Sequence, residues 1–277
     1  MDLATVIGLV LAVVAIVFSA YRGDINPGIF VSAYDAFILV FLGTLGATLV
    51  SFPLKTFTRG LRTGFAMAFT EPQSHEHEMI ANLVTFAEKA RREGLLALEN
   101  EAAELEDEFM RKGIQLVIDG RDADIIRKIL ETEVLFVQER NAKAEAVFNT
   151  MGGYSPTLGI IGTVLGLISM LNKLGEASKG GDAAGTLGSA VAQAFIATFF
   201  GISLANLLWL PVGAKIKERN GQQLLLREIQ IEGILAIQAG DNPRLLEEKL
   251  HAFLDPNERE TEVEEGGTVG EPAMANT

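Results

Sequence analysis

Residues 154–171 read YSPTLGIIGTVLGLISML, a run without one charged side chain. A helix crossing a bilayer core about 30 Å thick needs roughly 20 mainly apolar residues at about 1.5 Å of rise each. This run is close to that length. Gly159, Gly162, Thr163 and Gly166 share one stripe of it, and Gly162-x-x-x-Gly166 is the spacing that lets membrane helices approach closely. Outward from it lie three more such runs: Leu3 to Tyr21, about Ile29 to Phe52, and Leu187 to about Pro211. Within all four limits Asp35, near one end of the second run, is the only acidic residue, and there is no Lys, Arg or His. The fold class is therefore all-α: a polytopic membrane protein with four transmembrane helices and a helical cytoplasmic domain.

Composition agrees. Hydrophobic residues make up 48% of the 277, and the net charge of −13 falls almost entirely outside the apolar runs. An acidic chain lacks the basic footprint of a nucleic-acid binder. The absence of cysteine excludes disulfides, thiolate catalysis and cysteine metal sites. The three histidines, His75, His77 and His251, lie in polar segments, and a metal site at His75/His77 is not expected. No phosphate loop, dinucleotide glycine motif, metal-spaced histidine pair or nucleophile elbow occurs, so no enzyme is expected. The first run lacks a basic leader and a small-residue cleavage site, and reads as a retained span.

Basic residues beside the spans set orientation. The short links hold only Arg22, Lys173 and Lys179, whereas the other flanks carry Lys55, Arg59, Arg62, Arg140, Lys143, Lys215, Lys217 and Arg219. Both termini and the long central segment should be cytoplasmic. The organisation reads as a hairpin over 1–53, a helical cytoplasmic loop over 54–150, a second hairpin over 151–213, C-terminal helices over 214–254, and a disordered acidic tail over 255–277. Asn26-Pro27-Gly28 reads as the turn of the first hairpin. In the loop, Leu98, Ala102, Leu105 and Phe109 share one helical face. Gly94 interrupts the run before it, Gly120 ends it, and Asp122 caps the next helix, whose apolar side carries Ile126, Ile129, Leu130, Phe136 and Val137. That helix leads to the third span through Gly152-Gly153. Asn242-Pro243 reads as cap and first residue of a last helix over 243–254. There is no internal repeat and no strand-like alternation.

Three features admit two readings each. The small-residue stripes, with Ala190, Ala194, Ala197, Thr198, Gly201 and Ala205 in the fourth span, are either a packing surface or a narrow lining in which Thr163 and Thr198 offer hydroxyls to a passing ion. A membrane threonine commonly bonds its own backbone, so neither is diagnostic alone. Pro156 either bends a helix that extends upstream or starts the span behind Ser155 as cap; Pro211, with helix expected on both sides, favours a kink. The charges of 90–99 are either a solvated face or a docking pair, Arg91 and Glu99.

Taken together, Ala90-Arg91 through Gly94 to Leu98-Glu99, Pro156-x-x-Gly159-x-x-Gly162-Thr163-Val164, Ala197-Thr198-x-x-Gly201, Pro211, Glu232-Gly233-Ile234 and Gly240-x-Asn242-Pro243 resemble the MotA/PomA family, the A subunit of the bacterial flagellar stator. The resemblance covers roughly 1–254 and implies a multi-pass protein of the bacterial inner membrane. It implies a homo-oligomer, five A subunits around two B subunits. Each B subunit has one span with an essential aspartate and a peptidoglycan-binding domain, and ion flow along the A/B boundary drives force on the rotor's switch protein. It gives Arg91 and Glu99 to the rotor interaction, Pro156 and Pro211 to coupling, and Thr163, Thr198 and Ala197 to the ion path. Family members that use sodium tend to have two threonines where this chain has Ala197-Thr198, so protons are favoured over sodium, with no other cofactor or metal. Related readings are an ExbB/TolQ-like proton channel, which normally has three spans, and a non-conducting membrane scaffold.

Overall fold

The computed structural model describes residues 2–26, 28–70, 76–177 and 183–254. Pro27, His75, Lys179 and the expected tail over 255–277 lie outside them. Among the described residues there are α-helices, one 3₁₀ turn and one π turn, and no strand. The helices are α1 (Leu3–Arg22), α2 (Gly28–Ser32), α3 (Tyr34–Ser51), α4 (Leu54–Phe69), α5 (Glu76–Glu93), α6 (Glu99–Glu104), α7 (Glu108–Ile118), α8 (Ala123–Ala177), α9 (Ala183–Leu204), α10 (Leu210–Ala239) and α11 (Pro243–His251). Among the described residues, four helical stretches are long and apolar enough to cross a membrane: α1, α3, the C-terminal part of α8, and α9 with the helix that follows it.

The chain forms two compact units, Met1–Pro72 with Glu139–Asn220 and Gln73–Gln138 with Gly221–Thr277. In the first, which bears the spans, α4 buries Phe57, Gly60, Gly64 and Ala68 against Ala144, Val147 and Phe148 of α8. Phe41 stacks on Trp209 at 5.9 Å, and Phe37 meets Phe200 edge-on at 5.5 Å, so α3 packs on the fourth span. Asp2 caps α1 through the Thr5 amide (3.2 Å) and pairs with Lys215 and with Arg219 (3.0 Å). Bonding to Lys215 holds its carboxyl down at about 2.

In the second unit Ile80, Leu83, Leu98, Ile114, Leu130, Ile234 and their neighbours form one apolar core. Two carboxylates brace it. Asp107 caps α7 by accepting from the Phe109 amide (2.9 Å), and also accepts from Arg227 and Gln230 of α10, each at 2.8 Å. Arg227 lies over the Phe109 ring, 4.6 Å from its centroid. Glu232 accepts from Arg127 of α8 and Lys249 of α11, each at 2.7 Å. Burial pushes both carboxyls up, but bonds from these cationic and amide donors outweigh it and hold them below the ordinary range.

Several elements differ from the sequence expectation. The second apolar run is broken at Ala33, which is turned, and Ser32 donates to the Ile29 carbonyl (3.0 Å). Restarting there puts Asp35 in the first turn of α3, where a carboxylate meets the positive end of the helix dipole. The face of Leu98, Ala102, Leu105 and Phe109 belongs to two helices, because Leu105 is extended and Asp107 caps α7. Phe136 is 60% exposed rather than on the buried side of α8. Gly94, Gly120 and Gly240 do adopt positive φ at +88°, +70° and +71°, each at a helix end.

Because the native pKa values of Asp107 and Glu232 are depressed, their contribution is complete above about pH 5 and is lost progressively as pH falls through about 4 and below. Thermal unfolding of the purified chain should be flat from about pH 7 to 5 and decline below about 4. Asp107→Asn with Glu232→Gln should flatten that decline, while Asp107→Ala, which also loses the cap, should cost about 1–2 kcal/mol. An unchanged acid limb in the double variant contradicts this assignment.

Candidate functional site

The third and fourth spans touch backbone to backbone. A Cβ on Gly159 would stand 2.9 Å from the Ala197 carbonyl oxygen, and one on Gly201 would stand 2.7 Å from that of Ser155 and 3.0 Å from Gly159 Cα. A Cβ on Gly166 would stand 2.7 Å from that of Ala194, and one on Gly162 would stand 2.6 Å from that of Ala197. Since lipid gives helices no hydrophobic reason to associate, this missing volume is what permits the contact.

Three hydroxyls sit in the seam. Thr163 Oγ1 reaches the Ala194 carbonyl at 3.1 Å and its own helix at Gly159 at 3.2 Å, and is hydrogen-bonded to Thr198 Oγ1. Thr198 Oγ1 lies 3.4 Å from the Gly159 carbonyl. Ser155 is fully buried and donates to the Gly201 carbonyl at 2.9 Å. The structure thus brings Thr163, Thr198 and Ala197 to one place. Among the described residues no carboxylate joins them: Asp35 is exposed in the first turn of α3.

Pro156 lies inside α8, which runs unbroken through Gly152-Gly153, so the reading of Ser155-Pro156 as a helix start is corrected. Ser155 turns to Gly201 instead of capping, and the Gly152 carbonyl loses the amide that Pro156 cannot supply. The Leu210 side chain lies over that same Gly152, where a Cβ would come within 2.6 Å of its Cγ. Directly before Pro211 the helix widens into a π turn, Ala205–Trp209, with the Leu210 amide bonding Ala205 five residues back. Such turns accommodate a local interruption of the α pattern and are common at functional sites. The contact of Leu210 with Gly152 thus joins the segment before Pro211 to the turn before Pro156, while Pro211 itself is exposed.

In the second unit, Arg91 lies in the last turn of α5 and Glu99 begins α6, on either side of Gly94 and the 3₁₀ turn Leu95–Leu98. Leu98 is fully buried and anchors the corner; Arg91, Glu99 and Leu96 are exposed. The neighbouring Lys89 pairs with Glu101 at 2.5 Å, whereas Arg91 and Glu99 make no ion pair among the described residues.

Residues 101–229 match the model of the MotA/TolQ/ExbB proton channel family. The chain is 35% identical over 270 residues to Motility protein A of Bacillus subtilis, covering 96% of each. It is 33% identical over 265 residues to Chemotaxis protein PomA of Vibrio alginolyticus, covering 96% of this chain and 100% of the relative. The chain belongs to the MotA/PomA family, the A subunits of flagellar stators. Its structure superposes on the C. jejuni MotAB structure with a TM-score of 0.85 at 30% identity, over 93% of this chain and 97% of that one. On the flagellar MotAB stator complex from Bacillus subtilis the score is 0.83 at 32% identity, over 93% and 98%.

Within this MotA/PomA chain, Ser155 and the π turn escaped the sequence reading. A serine before proline reads locally as a cap, and only the facing Gly201 carbonyl redirects it. Trp209 was visible only as one more apolar residue. Because the atoms facing Gly159 and Gly201 are backbone, Gly201→Ala or Gly159→Ala should force the spans apart. The expected cost is about 1–3 kcal/mol, with loss of motility at an undiminished membrane level. Gly8→Ala, which meets nothing within 4 Å, should be silent in motility plates and membrane immunoblots. Normal swimming with Gly201→Ala would contradict the close contact.

Proposed function

We propose that this stator A subunit conducts cations, protons in preference to sodium, along a boundary between its third and fourth spans and a one-span B subunit, and turns that flow into force on the rotor. The observation that carries the reading is the Thr163–Thr198 hydroxyl pair in a seam whose spans hold no acid. A charge at the bilayer centre costs on the order of 2.5–3.5 kcal/mol on an insertion scale, so a cation crossing here needs an acceptor. Hydroxyls offer it oxygens but cannot take up a proton at neutral pH. The carboxylate comes from the partner, an aspartate in its span. Two of the structural neighbours are MotAB complexes, which supports such pairing.

The chain assembles as a homo-oligomer, five copies around two B subunits, in the bacterial inner membrane with both termini cytoplasmic. The driving force is about 2.3 kcal/mol per charge per 100 mV of membrane potential. Pro156 and Pro211 transmit the protonation state of the partner's acid, since each lies in a helix, α8 or α10, that carries the chain into the cytoplasmic unit. Arg91 and Glu99 present charge to the rotor's switch protein, where charge sets register and encounter rate more than affinity. A single hydroxyl at Ala197-Thr198 leaves a dehydrated sodium ion short of oxygen ligands, which favours protons.

Arg91→Glu or Glu99→Lys should reduce torque on tethered cells severely while leaving membrane levels and filaments normal. Full torque in both charge reversals, singly and combined, would remove the docking role. Swimming speed should hold when sodium is withdrawn at constant proton-motive force; a collapse would assign sodium instead.

A further inference from the structure

The amphipathic helix α4 carries three cations that neither the ion path nor the rotor corner uses. Lys55, Arg59 and Arg62 follow at i, i+4 and i+7 and are all exposed. At 100° per residue they fall opposite Phe57, Gly60, Gly64 and Ala68, the face packed on α8. None of the three makes an ion pair among the described residues, and α4 contains no Asp or Glu. Elsewhere beside the spans, Lys143 bonds Glu139 at 2.7 Å, and Lys215 and Arg219 pair with Asp2. A charge of +3 on one stripe, unpaired among the described residues, stands out in a chain of net charge −13.

Its place narrows the occupant. The helix of the second span, α3, ends at Ser51, and only Phe52 and Pro53 separate it from α4. At the junction the apolar surface is open, with Val50 90% and Leu54 67% exposed. The stripe therefore begins where the lipid-facing surface stops, at headgroup level. Arg62 is no more than about 11 Å along the helix from Lys55, comparable with the screening length at physiological salt. With Phe57, Gly60, Gly64 and Ala68 already buried in protein, the surface that α4 offers between its two ends is its charged face.

We infer that the Lys55–Arg59–Arg62 stripe is a binding site for the headgroups of anionic phospholipid, phosphatidylglycerol in kind, in the leaflet where α3 ends. Three guanidinium and ammonium groups spaced along two helical turns bridge neighbouring phosphodiesters. This rests on membrane insertion and not on torque generation.

The full-length chain, reconstituted in liposomes of mixed phosphatidylcholine and phosphatidylglycerol, tests it by electron spin resonance of spin-labelled lipids. The wild type should hold labelled phosphatidylglycerol in preference to labelled phosphatidylcholine, and raising the salt should shrink the preference. Lys55→Gln, Arg59→Gln and Arg62→Gln together should abolish it, each step lowering it by up to about fivefold. The exchange Lys55→Arg, Arg59→Lys and Arg62→Lys should retain it, as should Lys143→Gln. A wild type with no preference overturns the inference whatever the variants do. So does a neutralised variant, inserted normally, that keeps the full preference, or one that alters only oligomer size because a neighbouring copy covers the stripe.

Discussion

The contact of Gly159 with Gly201 sets the geometry on which the rest of the span-bearing unit depends. Two helices in lipid gain nothing from apolar surface alone; they gain from atoms brought within van der Waals range. Removing Cβ at 159, 162, 166 and 201, and keeping it small at 194 and 197, brings the backbones together. Only at that separation can Ser155 reach the Gly201 carbonyl, and Thr163 reach both Ala194 and Thr198. The same closeness leaves no room for a charged side chain in the seam. This is why the proposed path for cations along these helices takes its acid from another polypeptide.

The second unit uses charge differently. Asp107 and Glu232 each collect donors from separate elements, and their partners Arg227, Arg127 and Lys249 are consumed inside the unit. Such partly exposed pairs add modest stability but fix how helices register. Arg91 and Glu99 are left out of that economy, on a corner pinned by Leu98 and turned by Gly94. A corner whose exposed charges of both signs make no ion pair among the described residues suits recognition of a charged surface.

The spans were legible because bilayer thickness imposes a length and composition that few other constraints imitate. Helix ends at Gly94, Gly120, Asp122, Gly240 and Asn242 were legible because positive φ and side-chain caps are local chemistry. The Thr163–Thr198 meeting could be anticipated only through family resemblance, since helical stripes give a face and not a partner. What stayed hidden depends on distant atoms. Ser155 caps or does not cap according to a carbonyl 46 residues away. The break before α7 follows from Asp107, whose carboxylate is committed to Arg227 120 residues on. Phe136 has the periodicity of a buried residue and stands exposed in the single chain.

The central claim is that this chain supplies walls and hydroxyls but no proton acceptor. Proton flux into liposomes, driven by a potassium diffusion potential and followed with a pH dye, tests it with the chain alone and with its one-span partner. The account predicts background leak for the chain alone, flux with the partner, and loss of that flux when the partner's span carboxylate is replaced by an amide. Flux through the chain alone at the rate of the complex would contradict it.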